Sequence, residues 1–445
     1  MKRSAWRYLW KSEDIRKKLV ITVVLLILYR LAANIPVPGI NRVAIQELAR
    51  GNNPASGLLG MLDLLSGGTM SNFSILAMGV YPYITAQIIL QLLIPIIPSL
   101  EARMKEDPRQ GQQWMEKWTI ILTIPMALLS AVGQINIFNQ MAGGQVLTNF
   151  GLSGATLLPS VATLLTMVAG TMLGIWLGQL ISEYGIPNQG LSLIIFAGIV
   201  SRIPSHIGSL LSDRQNGWWM LISILIILAL IIFAIVYVQQ GRRNVPVLFP
   251  GRRMGNRMSM PVRSNLPLMV NMAGMIPLIF AQAILTFPAI IASYFIQSKT
   301  TWLASFSTGV YNTFNGQGMV YGMLYFFTVV LFTFFYTDVL FTQQNYGDNL
   351  KRQGAQIPGV VRGAPTQKYL TKVQRRITLP GALFLGLVAV LPFLLKPIFP
   401  ASAQTGLFLI SAAGLLIVVG VVRDTFTIIE TELKLHGYDE NLIRG

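Results

Sequence analysis

The chain has 445 residues, of which 53% are hydrophobic and 11% charged, whereas soluble domains carry about 25% charged residues; a bilayer is the solvent that such a composition requires. Lys and Arg number 34 against 17 Asp and Glu, a net charge of +17, which reads as membrane topology before nucleic-acid binding, or as basic loops that also dock an acidic partner such as ribosomal RNA. No cysteine is present and the only histidines are His206 and His436, which excludes disulfides, thiolate zinc sites, iron–sulfur clusters and thiol nucleophiles.

Residues 1–18 form a basic cytoplasmic N-terminus, with Lys2, Arg3, Arg7, Lys11, Arg16, Lys17 and Lys18. The apolar stretch that follows runs to Pro36 without a small-residue cleavage pattern, so it reads as a retained first span rather than a signal peptide. Ten spans are expected, at 19–37, 73–97, 118–138, 155–180, 190–206, 217–238, 267–295, 319–341, 378–398 and 405–424. They divide into a first five-span half, 19–206, and a second, 207–424, with a cytoplasmic tail at 425–445. Counted with the span ends beside them, alternate loops hold 27 of the lysines and arginines on one side against six on the other, with Arg30 well inside the first span. That asymmetry places both termini in the cytoplasm.

The segment 56–68, SGLLGMLDLLSGG, is apolar but too short to cross a bilayer, so it reads as an interfacial or re-entrant helix. The second span, MGVYPYITAQIILQLL, and the seventh, VNMAGMIPLIFAQAILTFPA, both carry proline and polar interruptions. Each is the second span of its half, and a matched pair of this kind points to a cavity between inverted repeats; ordinary proline kinks are the bland reading. The fourth span carries Gly170, Gly174 and Gly178, a small-residue stripe that lets a neighbour approach closely. Two long cytoplasmic loops follow, 239–266 and 342–377. The first holds Arg242, Arg243, Arg252, Arg253, Arg257 and Arg263 with no acid, and reads either as a β-hairpin or as disorder.

No enzyme constellation is present. There is no HExxH, no GxxxxGK[ST] and no GxGxxG, and the spans lack the carboxylate pairs of an ion-coupled pump. No catalytic residue, metal site or cofactor is assigned.

Taken in order along the chain, several strings resemble the SecY family of protein-translocation channels. They are YRLAANIPVPGI at 29–40, LLSGGTMSNFSILAMGVYPYITAQIILQLL at 64–93, GLSLIIFAGIV at 190–200 and NLPLMVNMAGMIPLIFAQAI at 265–284. NLKRQGAQIPGV at 349–360, KYL at 368–370 and RRITLPGALFL at 375–385 complete the set. The resemblance implies an all-α integral membrane protein of ten transmembrane helices, in two inverted five-helix halves that form a clamshell around a pore. It implies a channel subunit of the bacterial type that conducts unfolded secretory polypeptides and releases transmembrane segments into lipid. The alternative from the residues alone is a secondary transporter of a small solute, which also uses inverted repeats.

By position in the family's pattern, a pore ring falls on Ile84, Ile88, Leu191, Ile195, Met275, Ile279 and Ile417. A plug falls on Leu58, Leu59, Leu62, Leu64 and Leu65, and a lateral gate on Thr85, Gln87 and Asn271. Cytoplasmic partner contacts fall on Arg252, Arg253, Arg257, Lys351, Arg352 and Arg362. In the last case Val361 occupies the family's usual arginine position and Arg362 follows it. The implied partners are SecE- and SecG-type small subunits, a SecA-type ATPase motor, the ribosome, signal peptides, nascent secretory or membrane proteins, and the lipid of a plasma membrane.

Overall fold

The computed structural model describes residues 12–40, 73–94, 96–106, 108–141, 154–211, 217–250, 253–254, 257–258, 262–296, 300–314, 318–395 and 412–435. The expected plug, 56–68, lies outside the described residues. A helix stands at each of the ten expected spans. In chain order these are α1 (Glu13–Ala32), α2 (Tyr81–Leu93), α4 (Pro108–Met141), α5 (Leu157–Tyr184), α6 (Gly190–Leu211), α7 (Gly217–Gln240), α8 (Ile276–Phe295), α10 (Met319–Gln344), α12 (Ala364–Leu395) and α13 (Ala412–Leu435). Shorter helices intervene: α3 (Pro98–Glu106), α9 (Thr301–Phe314) and α11 (Tyr346–Arg352). Among the described residues, five helices are long and apolar enough to cross a membrane. α6 runs on to Leu211, past the half boundary expected at 206.

The outward faces are those of a protein solvated by hydrocarbon. On α7, Trp218, Trp219, Ile226, Leu230, Phe233 and Tyr237 are all exposed, and the same holds for Val20, Val23, Val24, Ile27 and Leu31 on α1. Apolar exposure on this scale marks contact with lipid or a partner. The hydroxyls inside the helices bond the carbonyl four residues back. Thr123 donates to Thr119 O at 2.6 Å, Thr171 to Met167 O at 3.2 Å and Thr333 to Val329 O at 2.7 Å. Each is satisfied without water, which membrane burial demands.

Two spans begin later than expected, and in the same way. Residues 73–80 and 270–275 are non-helical, mostly turns, and strand β4 runs to Met269, so the helices start at Tyr81 and Ile276 rather than at 73 and 267. Gly79 and Gly274 take positive φ values of 53° and 64°, a conformation that glycine adopts at little cost. Pro82 and Pro277 follow in the first helical turn, where a missing N–H breaks no ladder. These two prolines therefore start helices; they do not kink them. Aligned on the two glycines, GVYPYITAQIILQ and GMIPLIFAQAILT agree at seven of thirteen positions.

The packing of the two breaks is matched as well. A Cβ on Gly170 of α5 would lie 1.9 Å from the carbonyl oxygen of Ile75, and one on Gly381 of α12 would lie 2.6 Å from that of Val270. Ile75 and Val270 each stand four residues before the positive-φ glycine of their break. The glycine stripe of the fourth span thus admits a backbone carbonyl at Gly170, and at Gly178 it admits Leu191 of α6.

One β element departs from an all-helical chain. Strands β1 (Arg242–Phe249) and β4 (Val262–Met269) pair antiparallel, from Arg242 opposite Met269 to Phe249 opposite Val262; between them β2 (Arg253–Met254) pairs with β3 (Arg257–Met258). The loop is a hairpin and continues past the expected end at 266. Val245 and Val247 alternate inward and meet Leu268, Phe341, Leu350, Ile357, Leu370 and Ile377. The backbones of Leu248 and Gln356 exchange hydrogen bonds of 2.8 and 2.9 Å, which stitches the two long cytoplasmic loops together.

Candidate functional site: an apolar waist between the halves

Of the three apolar clusters that organise the membrane part, one adds Ala289 of α8 to a first-half core, and another takes residues widely from both halves. It draws Tyr29 from α1 and Ala33 from its C-cap, Leu76 and Val80 from the first break, Leu177 and Ile181 from α5, and Ile194 and Ile195 from α6. From the second half come Ile279 and Ala283 of α8 and Ile417 and Val421 of α13. Ile84, Leu191 and Met275 pack against it half-buried. Six of the seven expected ring residues, Ile84, Leu191, Ile195, Met275, Ile279 and Ile417, are therefore brought together from four helices. Ile195 is 4% exposed, Ile279 3% and Ile417 5%.

The local structure explains the convergence. The breaks place Met275 at the N-cap of α8 and Ile279 one turn on, and α2 presents Ile84 at the corresponding point of its first turns. The repeat register adds two residues that family position did not supply. Val80 matches Met275, and Ala283 matches Ile88; both lie in the cluster. Ile88 is buried at 4% and stands one turn further along α2, outside the cluster's members. The signal for Val80 and Ala283 was the Gly-x-x-Pro alignment of the two spans.

The expected gate residues bond within their own segments. Thr85 Oγ1 donates to Tyr81 O at 3.2 Å and to Pro82 O at 2.9 Å. Asn271 Nδ2 donates to Gly274 O at 3.1 Å and so holds the second break in shape. Asn271 Oδ1 is buried with no partner among the described residues. Gln87 is half-buried. A hydrogen bond that does cross between the halves joins residues outside that set: Tyr336 OH of α10 donates to Gln91 Oε1 of α2 at 3.2 Å. A second polar tie, Lys18 of α1 to Glu432 of α13, joins the two ends of the chain.

On the loops, Lys351, Arg352 and Arg362 are exposed, with Lys351 and Arg352 in the last turn of α11. Arg253 and Arg257 stand in the paired strands β2 and β3; Arg252 lies outside the described residues, as do Leu58, Leu59, Leu62, Leu64 and Leu65, on which the plug was expected.

With this geometry in view, comparison with known proteins is informative. The SecY family profile matches residues 74–426. A protein translocase subunit SecY from Streptomyces galbus is 34% identical over 445 residues, covering 98% of this chain and 99% of that one. The corresponding proteins of Aquifex aeolicus and Chlamydia trachomatis are each 36% identical, covering 96% and 97% of this chain and 96% of their own lengths. Among solved structures, one described as that of a protein conducting channel superposes with a TM-score of 0.61 at 17% identity, covering 99% of this chain and 100% of the other. A second, from work on the plug domain of SecY, superposes at 0.59 with the same identity and coverage.

Proposed function

Because the chain belongs to the SecY family, we propose that it is the channel-forming subunit of a protein translocase, conducting unfolded secretory polypeptides across a membrane and releasing apolar segments sideways into lipid. The observation that carries this reading is the waist, where six apolar side chains from four helices of both halves close on one another. An apolar constriction stops ions by dewetting and offers a passing polypeptide no strong bond to hold it. Isoleucine, leucine and the flexible Met275 repack around varied side chains.

The finer architecture follows from the same reading. The chain crosses the membrane ten times, in two five-helix halves of opposite topology that close as a clamshell; the repeated breaks before α2 and α8 support this. The cut between halves falls between α6 and α7. α2 and α8 border the lateral exit, with Thr85, Gln87 and Asn271 near it, and Leu58, Leu59, Leu62, Leu64 and Leu65 plug the outer mouth. Both termini face the cytoplasm of a cell whose plasma membrane holds the protein. The hairpin and the 342–377 loop, through Arg252, Arg253, Arg257, Lys351, Arg352 and Arg362, dock the ribosome and a SecA-type motor that supplies the energy. SecE- and SecG-type small subunits complete the complex. Nothing favours a small-solute transporter: among the described residues no aspartate or glutamate is buried, and the relatives are translocase subunits.

The test uses Ile84→Cys and Ile279→Cys in a chain that has no other cysteine. A stalled secretory polypeptide bearing a short thiol-reactive crosslinker is expected to react with both positions. Leu230→Cys, on the lipid-facing side of α7 at 66% exposure, serves as control. Equal reaction at position 230 would remove the waist as the conduit.

A further inference from the structure

Helix α9 (Thr301–Phe314) follows α8 and precedes α10 through short connections, and none of its 14 residues is charged. At about 100° per residue, its side chains divide into three lengthwise sectors. One faces the protein: Ser307 is buried, and Tyr311 and Phe314 pack against the apolar cluster that also holds Phe73, Phe138 and Ala289. A second is exposed and polar, with Thr301, Ser305, Thr308 and Asn312 at steps of four, three and four residues. The third is exposed and apolar. Trp302 and Phe306 stand there at 78% and 61% exposure, stacked with ring centroids 6.0 Å apart and planes at 14°. Half-buried Leu303 and Val310 close this sector on the side of the protein. Thr313 shares the apolar side, and its hydroxyl donates back to Gly309 O at 2.9 Å, so it is satisfied within the helix.

Three sectors are one more than a helix needs in water, where a single apolar stripe meets the protein and the rest is polar. They also differ from a helix sunk in hydrocarbon, which is apolar all round. A helix docked on the side of a protein in the plane of a membrane interface has three neighbours: protein, water and lipid. Its place in the chain agrees. Ile284, Phe287, Ile291 and Phe295 form an exposed apolar stripe that runs to the end of α8, and Met319, Val320, Met323 and Phe327 form another from the start of α10. α9 lies between these two helix ends and packs on both helices. Trp302 and Phe306 extend the lipid-facing surface to the level where it meets water, the level at which indole rings are enriched.

We propose that α9 is an interfacial helix whose partner is the outer leaflet of the bilayer. Trp302 and Phe306 insert at the boundary between headgroups and acyl chains, and Thr301, Ser305, Thr308 and Asn312 turn to the aqueous outside. Because α9 carries no charge, the contact is apolar insertion and is independent of lipid charge. Tyr311 and Phe314 tie the inserted helix to the first-half core, so the leaflet holds the outer end of α8 at a set depth beside that core. A partner protein would enclose the aromatic pair within a polar rim; here the polar side chains lie along one edge only, and the apolar stripes of α8 and α10 lie along the other. The proposal rests on the membrane placement of α8 and α10 set out above.

The test places one cysteine at a time in the full chain, which has no other: Trp302→Cys, Phe306→Cys, Ser305→Cys or Asn312→Cys. Leu331→Cys, on the exposed face of α10, is the lipid control. Each variant is spin-labelled and reconstituted in phosphatidylcholine vesicles. Collisions of the label with oxygen, which partitions into lipid, are compared with those of a water-soluble nickel chelate present on both sides. Labels at 302 and 306 are expected to lie about 5–10 Å into the headgroup–acyl boundary, with an oxygen-to-nickel ratio severalfold above that at 305 and 312. Adding phosphatidylglycerol to the vesicles should leave this depth unchanged. Nickel access at 302 and 306 equal to that at 305 and 312 would put α9 in water and overturn the proposal. Shielding of 302 and 306 from both reagents would place a protein there instead, a second copy if the labels broaden one another at low lipid content, and equally overturn it. A depth that follows the phosphatidylglycerol content would assign the contact to cations elsewhere in the chain and overturn insertion by α9 itself. Nickel access at 331 would remove the membrane placement on which the proposal rests.

Discussion

Tyr336 and Gln91 lie 245 positions apart, yet they make the hydrogen bond that joins α10 to α2. The bond is formed at low exposure, since Tyr336 is 4% exposed; in the proposed clamshell, parting the halves breaks it. A buried neutral bond contributes about 0.5–1.5 kcal/mol net. Tyr336→Phe is therefore expected to shift the channel toward opening by roughly two- to tenfold, read as increased export of a secretory protein with a weakened signal sequence. Unchanged export would mean that the bond survives opening. The pair was out of reach of the sequence because neither residue stands in a recognisable pattern; only the approach of two distant helices pairs them. The ring was better marked. Ile84, Ile195, Ile279 and Ile417 sit at spacings that only a family pattern singles out, since each alone reads as core or lipid contact. Val80 and Ala283 were legible in the internal repeat and absent from the family positions.

At the scale of the element, the breaks before α2 and α8 show what composition conceals. Residues 73–80 and 270–275 are apolar on balance, like the helices they precede, so a hydropathy window runs through them and starts both spans too early. The information lay in Gly-x-x-Pro: a residue free to take positive φ, then one fit for a first helical turn. Each break is seated on a glycine of another helix, and that contact is testable. Gly170→Ala would place a Cβ 1.9 Å from a backbone oxygen, and Gly381→Ala one at 2.6 Å. Overpacking of this kind costs about 1–3 kcal/mol, so both variants should unfold earlier on heating in detergent, Gly170→Ala the more so. Gly309→Ala on exposed α9, with no atom within 4 Å of its added Cβ, should be neutral or stabilising. Equal behaviour of all three would mean that the close approaches relax at no cost. The hairpin was legible as one of two readings of the 239–266 loop; its length was not. Strand β4 extends into NLPLM, where Leu268 is drawn inward by the apolar cluster under the loop, a tertiary effect that no local signal carries.

At the scale of the whole molecule, the charge of +17 is concentrated on the loops, which is why the sequence yields an expected sidedness without coordinates. If the hairpin arginines meet ribosomal phosphates, reversing Arg252, Arg253 and Arg257 to Glu should weaken ribosome binding and flatten its dependence on salt, because fewer counterions are released. Sedimentation across a salt series measures both. Insertion should persist, since Arg242 and Arg243 still flank α7. Affinity that does not change would leave the three arginines as topology signals. Clasped carbonyls at Ile75 and Val270 also bear on how the machine moves. Each clasp fastens a ring-bearing helix to a helix of its own half; in the proposed clamshell, compliance is then low within a half and high along the seam, where among the described residues Tyr336 meets Gln91, Lys18 meets Glu432 and apolar side chains pack. Ile84 and Ile279 are then teeth on two stiff jaws. Their separation is set by the angle of the seam rather than by bending of α2 or α8, and a passing polypeptide that widens the seam moves all the teeth of one jaw together.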